Sequence, residues 1–152
     1  MTQTMQLSGE AKFANSVQHI WDALHDPDIL KGAIPGCERL ELTGQGEYDV
    51  VMKLGVAAVK GEYTGKVKLE DVEAGAHYIL LAEGSGSPGH VKAKMDCKLL
   101  PTDKGCTLVW NCDAEIGGMI ASVGGRVLGG IAKFMAGQFF KAIEKQVKNG
   151  GA

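Results

Sequence analysis

Residues 118–148 read GMIASVGGRVLGGIAKFMAGQFFKAIEKQVK. On a helical projection Ile120, Val127, Leu128, Ile131 and Met135 share one broad apolar face, and Arg126, Lys133 and Glu144 share the other. The expectation is one long amphipathic helix over the whole stretch. Gly124, Gly125, Gly129, Gly130 and Gly137 lie inside the apolar pattern. Each costs about 1 kcal/mol against alanine in a helix interior, so packing must compensate. Two readings of these glycines stand side by side: close packing of the helix on a sheet, or space left for a ligand where Gly124 removes volume from the apolar face. Gly125 and Gly129 also make a GxxxG spacing, but Arg126 and Lys133 interrupt the run. No uncharged stretch of about 18 residues remains, so a membrane span is not expected.

The chain has 152 residues, which suits one domain with one core. Its residues are 45% hydrophobic and 22% charged, with a net charge of −2. That balance lacks the positive excess and basic stripe of a nucleic-acid binder. The first ten residues, MTQTMQLSGE, hold no apolar signal core. Cys37, Cys97, Cys106 and Cys112 form no CxxC, and no histidine stands at ligand spacing from them. The expectation is therefore reduced cysteines in a cytoplasmic protein, with no zinc site.

Outward from the long helix, the chain reads as strands. Residues 5–13 alternate, with Met5, Leu7, Ala11 and Phe13 on one side. Asn15 or Ser16 can cap a helix carrying Val17, Ile20, Trp21 and Leu24, and Asp26-Pro27 opens a second, short helix through Ile29 and Leu30. Six strand-like segments follow, near residues 38–42, 47–56, 59–71, 77–83, 91–99 and 107–116. Tyr48, Val50, Met52, Leu54 and Val56 share one side of the second of these. Gly61 and Gly65 fall on the apolar side of the third, marking a bend or a close approach. The segment GSGSPG at 84–89 lacks the GK[ST] ending of a phosphate loop and reads as a hairpin loop. Residues 149–152 should fray. The order β-α-α-β6-α predicts an α+β domain. A curved antiparallel sheet of seven strands wraps around the long C-terminal helix, and the short helices close one end.

Several segments together carry a family resemblance. They are Asp26-Pro27 and Leu30 leading into Ile34-Pro35-Gly36-Cys37-Glu38, and Val59-Lys60-Gly61-Glu62-Tyr63-Thr64-Gly65-Lys66. The Gly84-Ser85-Gly86 stretch and Ile116-Gly117 before the glycine-rich helix add to them. The sequence is similar to the helix-grip fold of the START and birch-pollen-allergen (Bet v) type, the SRPBCC superfamily. It more closely resembles the G-subunit family of carbon monoxide dehydrogenase over about residues 5–148. The resemblance implies a single helix-grip domain spanning 1–152. It also implies an accessory role beside molybdenum hydroxylase subunits of the carbon monoxide dehydrogenase type, and a cavity for a hydrophobic ligand. Some relatives carry a C-terminal extension proposed to anchor them at the membrane. With Ala152 as its last residue, this chain is expected at most peripherally at the inner face of the membrane.

Strand alternation points no Asp, Glu, His or Lys inward, so no general acid or base is in prospect. Cys97 and Cys112 read as small buried hydrophobes, and Cys37, at the cavity mouth, has no base beside it. His19, His25, His77 and His90 are scattered, and no metal or haem site is expected. The lysines at 60, 66, 68, 92, 94 and 98 lie among acids on the outer face, as a solvated sheet surface or a docking face for an acidic partner. The leading expectation is a non-enzymatic binding protein with no covalent cofactor, holding a lipid-like or quinone-like molecule. Its predicted lining is Val123, Gly124, Val127, Ile131 and Met135 from the helix, and Met52, Tyr63, Met95 and Trp110 from the sheet. Trp21, Leu30 and Ile34 are placed at the mouth. Tyr63 and Trp110 are open to either reading, structural or ligand-touching. The alternatives are an SRPBCC cyclase or hydrolase acting on an aromatic or polyketide substrate, and a docking adaptor with a solid core.

Overall fold

Strict alternation along successive segments builds the sheet, and hairpin connections order it. In the computed structural model, which describes residues 2–55 and 59–149, the chain begins with β1 (Thr2–Phe13), α1 (Val17–Leu24) and α2 (Pro27–Ala33). The strands β2 (Cys37–Gly44), β3 (Glu47–Leu54), β4 (Gly61–Glu73), β5 (His77–Gly86), β6 (Gly89–Thr102) and β7 (Gly105–Gly117) follow. A 3-10 turn, Met119–Val123, leads into α3 (Gly125–Asn149). All seven strands form one antiparallel sheet in the order β1-β7-β6-β5-β4-β3-β2. This is the α+β helix-grip fold.

Register is pinned because a slip of one residue would turn an entire apolar set outward. On the inner face Leu7, Cys112, Met95, Leu80 and Leu69 lie side by side across five strands. The next row is Met5, Ala114, Ala93, Ala82, Val67 and Tyr48. The row beyond it is Ile116, Val91, Gly84, Gly65 and Val50. Side-chain volume thus falls in the middle of the sheet.

The short helices start where the sequence caps them. The His19 amide donates to Ser16 Oγ at 3.3 Å, and the Asp28 amide donates to Asp26 Oδ1 at 2.9 Å. Such caps contribute about 1 kcal/mol each. Ile20 and Leu24 from α1 and Leu30 from α2 join Phe140, Ile143 and Val147 of α3 in the main core, with Leu99 and Leu108 beneath. The two short helices therefore close the sheet over the C-terminal half of α3.

The expected unbroken helix over 118–148 is corrected. Gly118 and Gly124 adopt φ of 84° and 98°, in a region that side chains disfavour, and the 3-10 turn runs between them. The α-helix begins only at Gly125. Its face is also rotated from the one expected: Leu128 is 5% exposed, but Val127 is 48% exposed. The segment 84–89 is not a loop throughout. Gly84 and Gly86 pair within β5, Gly86 faces Gly89 of β6, and only Ser87-Pro88 turns the chain. Val56, expected to continue the inner side of β3, lies outside the described residues, as do 150–152, expected to fray.

Glycine is required for close approach at Gly65, where an added Cβ would run into the carbonyl oxygen of Glu83 on the neighbouring strand. At Gly137, by contrast, a Cβ meets nothing within 4 Å. Gly65→Ala should therefore lower the unfolding free energy by about 2 kcal/mol or more, whereas Gly137→Ala should raise it by up to about 1 kcal/mol. Urea titrations of both variants check this, and a well-tolerated Gly65→Ala would contradict the register.

Candidate ligand cavity

Small residues at the centre of an apolar sheet face leave room that one overlying helix does not fill. A cavity of about 410 Å³ lies there, between the inner face of the sheet and the first half of α3. Ala82, Gly84, Ala93, Ala114 and Gly65 form its floor. Leu128, Ile131, Ala132 and Met135 form its roof, and Met5, Leu7, Met52, Val67, Val91 and Ile116 are among its walls. Ile34 and Leu54, with Val59 and Ile120, also border it.

The lining is almost without polar function. Thr64 and Glu83 border the cavity, but their side chains belong to the exposed face of the sheet. Tyr63 brings a hydroxyl, and that hydroxyl donates to the Val59 carbonyl at 2.6 Å. Burial raises the Tyr63 phenol above its ordinary value, so it stays neutral. Cys112 also lines the space, its thiol raised by burial and then by the nearby Asp113. Among the described residues no polar or charged residue is fully buried, and no group of three or more His, Cys, Asp or Glu could hold a metal ion.

The remaining titratable groups are engaged elsewhere. His25 stacks on Trp21 with ring centroids 4.3 Å apart, donates from Nδ1 to the Trp21 carbonyl at 2.8 Å, and places Nε2 2.9 Å from Asp71 Oδ1. His77 Nε2 lies 2.9 Å from Asp96 Oδ1. Cys37, expected near the mouth, is half-buried and donates to the Arg39 carbonyl at 3.5 Å; burial raises its thiol, which opposes nucleophilic use. All four cysteines are free.

Of the twelve residues expected at the site, nine in the lining and three at the mouth, five border this cavity: Met52, Tyr63, Ile131 and Met135 from the lining set and Ile34 from the mouth set. The other seven do not line it. Met95, Leu30 and Trp21 pack into the main core, Trp21 edge-on to Tyr78 with centroids 5.6 Å apart. Trp110 lies against Gly9 of β1, where a Cβ would come within 2.8 Å of its ring. Val123 packs with Ile116 and Ile120, and Val127 faces solvent. Gly124 sits in the break before α3 and so is not part of the helix face; an added Cβ there meets only open space. Met95, Leu30 and Trp21 fill space instead of bounding it. The signal that sequence reasoning missed is the alanines at 82, 93 and 114: three inward positions, aligned across neighbouring strands, all too small to reach the helix.

A wider depression of about 950 Å³ lies on the opposite face of the sheet, bordered by Lys68, Glu83, Lys92, Lys94, Asp113 and Glu115. Its charges alternate across the strands: Glu115 faces Lys92, Lys92 faces Glu83, Glu83 faces Lys66, and Lys66 faces Asp49. The lysines expected on this face are thus distributed among acids and form no uniform basic patch. No helix among the described residues is long and apolar enough to cross a membrane.

Comparison with known proteins agrees with this geometry. Residues 9–148 match the CoxG family, described as the G subunit of carbon monoxide dehydrogenase. A conserved protein from Geobacillus kaustophilus, known from its crystal structure, is 38% identical; the match covers 97% of this chain and 96% of that one, with a TM-score of 0.88. A START superfamily protein from Mycobacterium smegmatis is 12% identical with a TM-score of 0.70, over 96% of this chain and 97% of the other. Ara h 8.0201 is 16% identical with a TM-score of 0.70, over 97% and 99%. These last two share the fold. No curated protein matches the chain.

Cys97 gives the site's surroundings a pH signature. It is wholly buried beside Tyr78, and burial pushes its thiol up to about 12 from an ordinary 9.0. Above pH 9.0 the unfolded chain releases this proton while the folded one retains it, so stability falls as pH rises from there towards about 12. Cys97→Ala should flatten that part of the stability profile in denaturant titrations. An unchanged alkaline slope would show that another group governs it.

Proposed function

The chain belongs to the CoxG family of carbon monoxide dehydrogenase, and from that membership and the cavity we propose that it is a non-enzymatic accessory protein carrying a hydrophobic, lipid-like or quinone-like molecule. Its partner in this reading is a molybdenum hydroxylase of the carbon monoxide dehydrogenase type, to which a quinone would serve as electron acceptor. The carrying observation is the lining of the cavity. A space of about 410 Å³ lies within the roughly 300–1,000 Å³ range of small-molecule pockets. Its walls are hydrocarbon, and the Tyr63 hydroxyl is committed to the Val59 carbonyl.

Affinity in such a site comes from apolar area removed from water, at about 25 cal/mol per Å². A polar or charged substrate would lose hydration without gaining hydrogen bonds, and is disfavoured by the same physics. A cyclase or hydrolase needs an acid or base against its substrate, and the described lining offers neither. The ligand of this reading is therefore carried unchanged, with any polar head towards the mouth.

Solvent extraction of protein purified without detergent, followed by mass spectrometry and an ultraviolet spectrum, tests the reading. The wild-type protein should yield a near-stoichiometric quinone or lipid. Ala93→Phe, which places a ring in the cavity from its floor, should lose that molecule while keeping the fold by circular dichroism. An empty extract from the wild type, together with no uptake of added ubiquinone-1 or oleate, would overturn it.

A further inference from the structure

A second groove, of about 330 Å³, runs between the outer edge of β1 and α3, and shares no lining residue with the cavity. We infer that this groove docks an extended, acidic and partly apolar segment of a partner protein, which joins the sheet as an added strand along β1. Residues 8–13 of β1 border the groove without a gap. Their side chains alternate between the two faces of the sheet, so what they share in the groove is the backbone edge. β1 ends the sheet, pairing only with β7, and the groups on its other side have no strand partner among the described residues.

The two sheet edges differ. β2 is short, and its pairing shifts register twice, the irregularity that commonly blunts an edge. β1 keeps one register from Thr2 to Phe13 and contains no proline. An edge this long and regular invites strand addition. Across the groove Lys133, Ala136, Gly137, Phe140, Lys141 and Glu144 form one face of α3. From 133 to 144 the helix rises about 17 Å, and residues 8–13 of a strand also span about 17 Å. The walls match in length for a segment of about six residues.

The groove lies where α3 stands off β1 around Gly137, between closer contacts on either side; towards its far end Phe140 packs edge-on against Phe13, with ring centroids 6.4 Å apart. An added Cβ at Gly125 would lie 3.3 Å from Gln3 and one at Gly129 3.6 Å from Leu7, whereas at Gly137 it meets nothing within 4 Å. Trp110, 6% exposed, forms part of the floor, and among the described residues its indole Nε1–H has no hydrogen-bond acceptor. It offers a donor to an incoming backbone carbonyl or carboxylate. Lys12, Lys133 and Lys141 border the groove against Glu10 and Glu144, and none of the five is ion-paired within the described residues. Three lysines against two glutamates leave the groove one positive charge in excess, which favours an acidic segment.

A displayed library of random octapeptides, selected on the full chain, tests this docking site. Enriched peptides should combine Asp or Glu with apolar residues. One such peptide, synthesised and labelled, should bind in fluorescence polarisation and slow amide exchange along residues 8–13. Gly137→Leu, which fills the groove from an open helix position, and the double variant Lys133→Glu/Lys141→Glu should each weaken binding at least about tenfold. Extraction of the cavity ligand should be unaffected by either, which separates this inference from the carrier reading. No enrichment, or equal binding to both variants, overturns it. Self-association that protects β1 without peptide also overturns it, and assigns the edge to a second copy.

Discussion

One helix cannot cover seven strands. Neighbouring strands lie about 4.8 Å apart, so the sheet is roughly 30 Å wide, while a helix with its side chains is about 10–12 Å across. The inner face must therefore curl, be covered by something besides α3, or remain partly uncovered, and this fold does all three. The sheet wraps α3, and α1 and α2 cover the end where Phe140, Ile143 and Val147 come down. The part that side chains leave unfilled lies beneath the first half of α3. There Ala82, Ala93 and Ala114, with Gly65 and Gly84 in the next row, keep the sheet thin.

The outer face solves the opposite problem. An antiparallel sheet can leave one face in water, and here that face alternates acid and base from β7 to β3. Cross-strand pairs of opposite charge contribute about 0.2–1 kcal/mol each. Across the strands Lys68 sits 4.0 Å from Glu47, and along its own strand 3.9 Å from Glu70; both are half-exposed contacts at the weak end of that range. Their larger effect is specificity, because a checkered surface gives no long-range attraction to a partner of either sign. Features that could recognise something are left to the interior and to the sheet edge, where apolar surface and uncommitted backbone lie.

Much of this is legible in the sequence, for a physical reason in each case. Period-two alternation places the strands, and the caps at Ser16 and Asp26 place the short helices, because both are local. The order of elements leaves one economical way to cover the sheet. Periodicity misplaces the start of the long helix because it cannot register a residue with positive φ: Gly124 fits an apolar pattern and still breaks the helix. The site is half legible. Alternation assigns Met95 and Trp110 inward correctly, but a cavity is bounded by what is small, and those two are large. Whether an inward side chain fills or lines depends on its neighbours two strands away, which no local window contains.

The cavity also has a cost that bears on what occupies it. The space of about 410 Å³ opens to solvent, so when empty its apolar lining stays in contact with water and forgoes about 25 cal/mol for each Å² left exposed. Water that enters finds almost no hydrogen-bond partners on these walls. Collapse is opposed at both ends of the helix. Gly125 and Gly129 seat its start closely on β1, and Phe140, Ile143 and Val147 fix its far half in the core. Between those anchors Ile131 and Met135 are held over a floor of alanine they do not reach. An apolar occupant binding there would stabilise the folded state in proportion to its own affinity. Occupant and core would then be parts of one hydrophobic interior, and the small residues that leave the space unfilled would be the ones that make room for it.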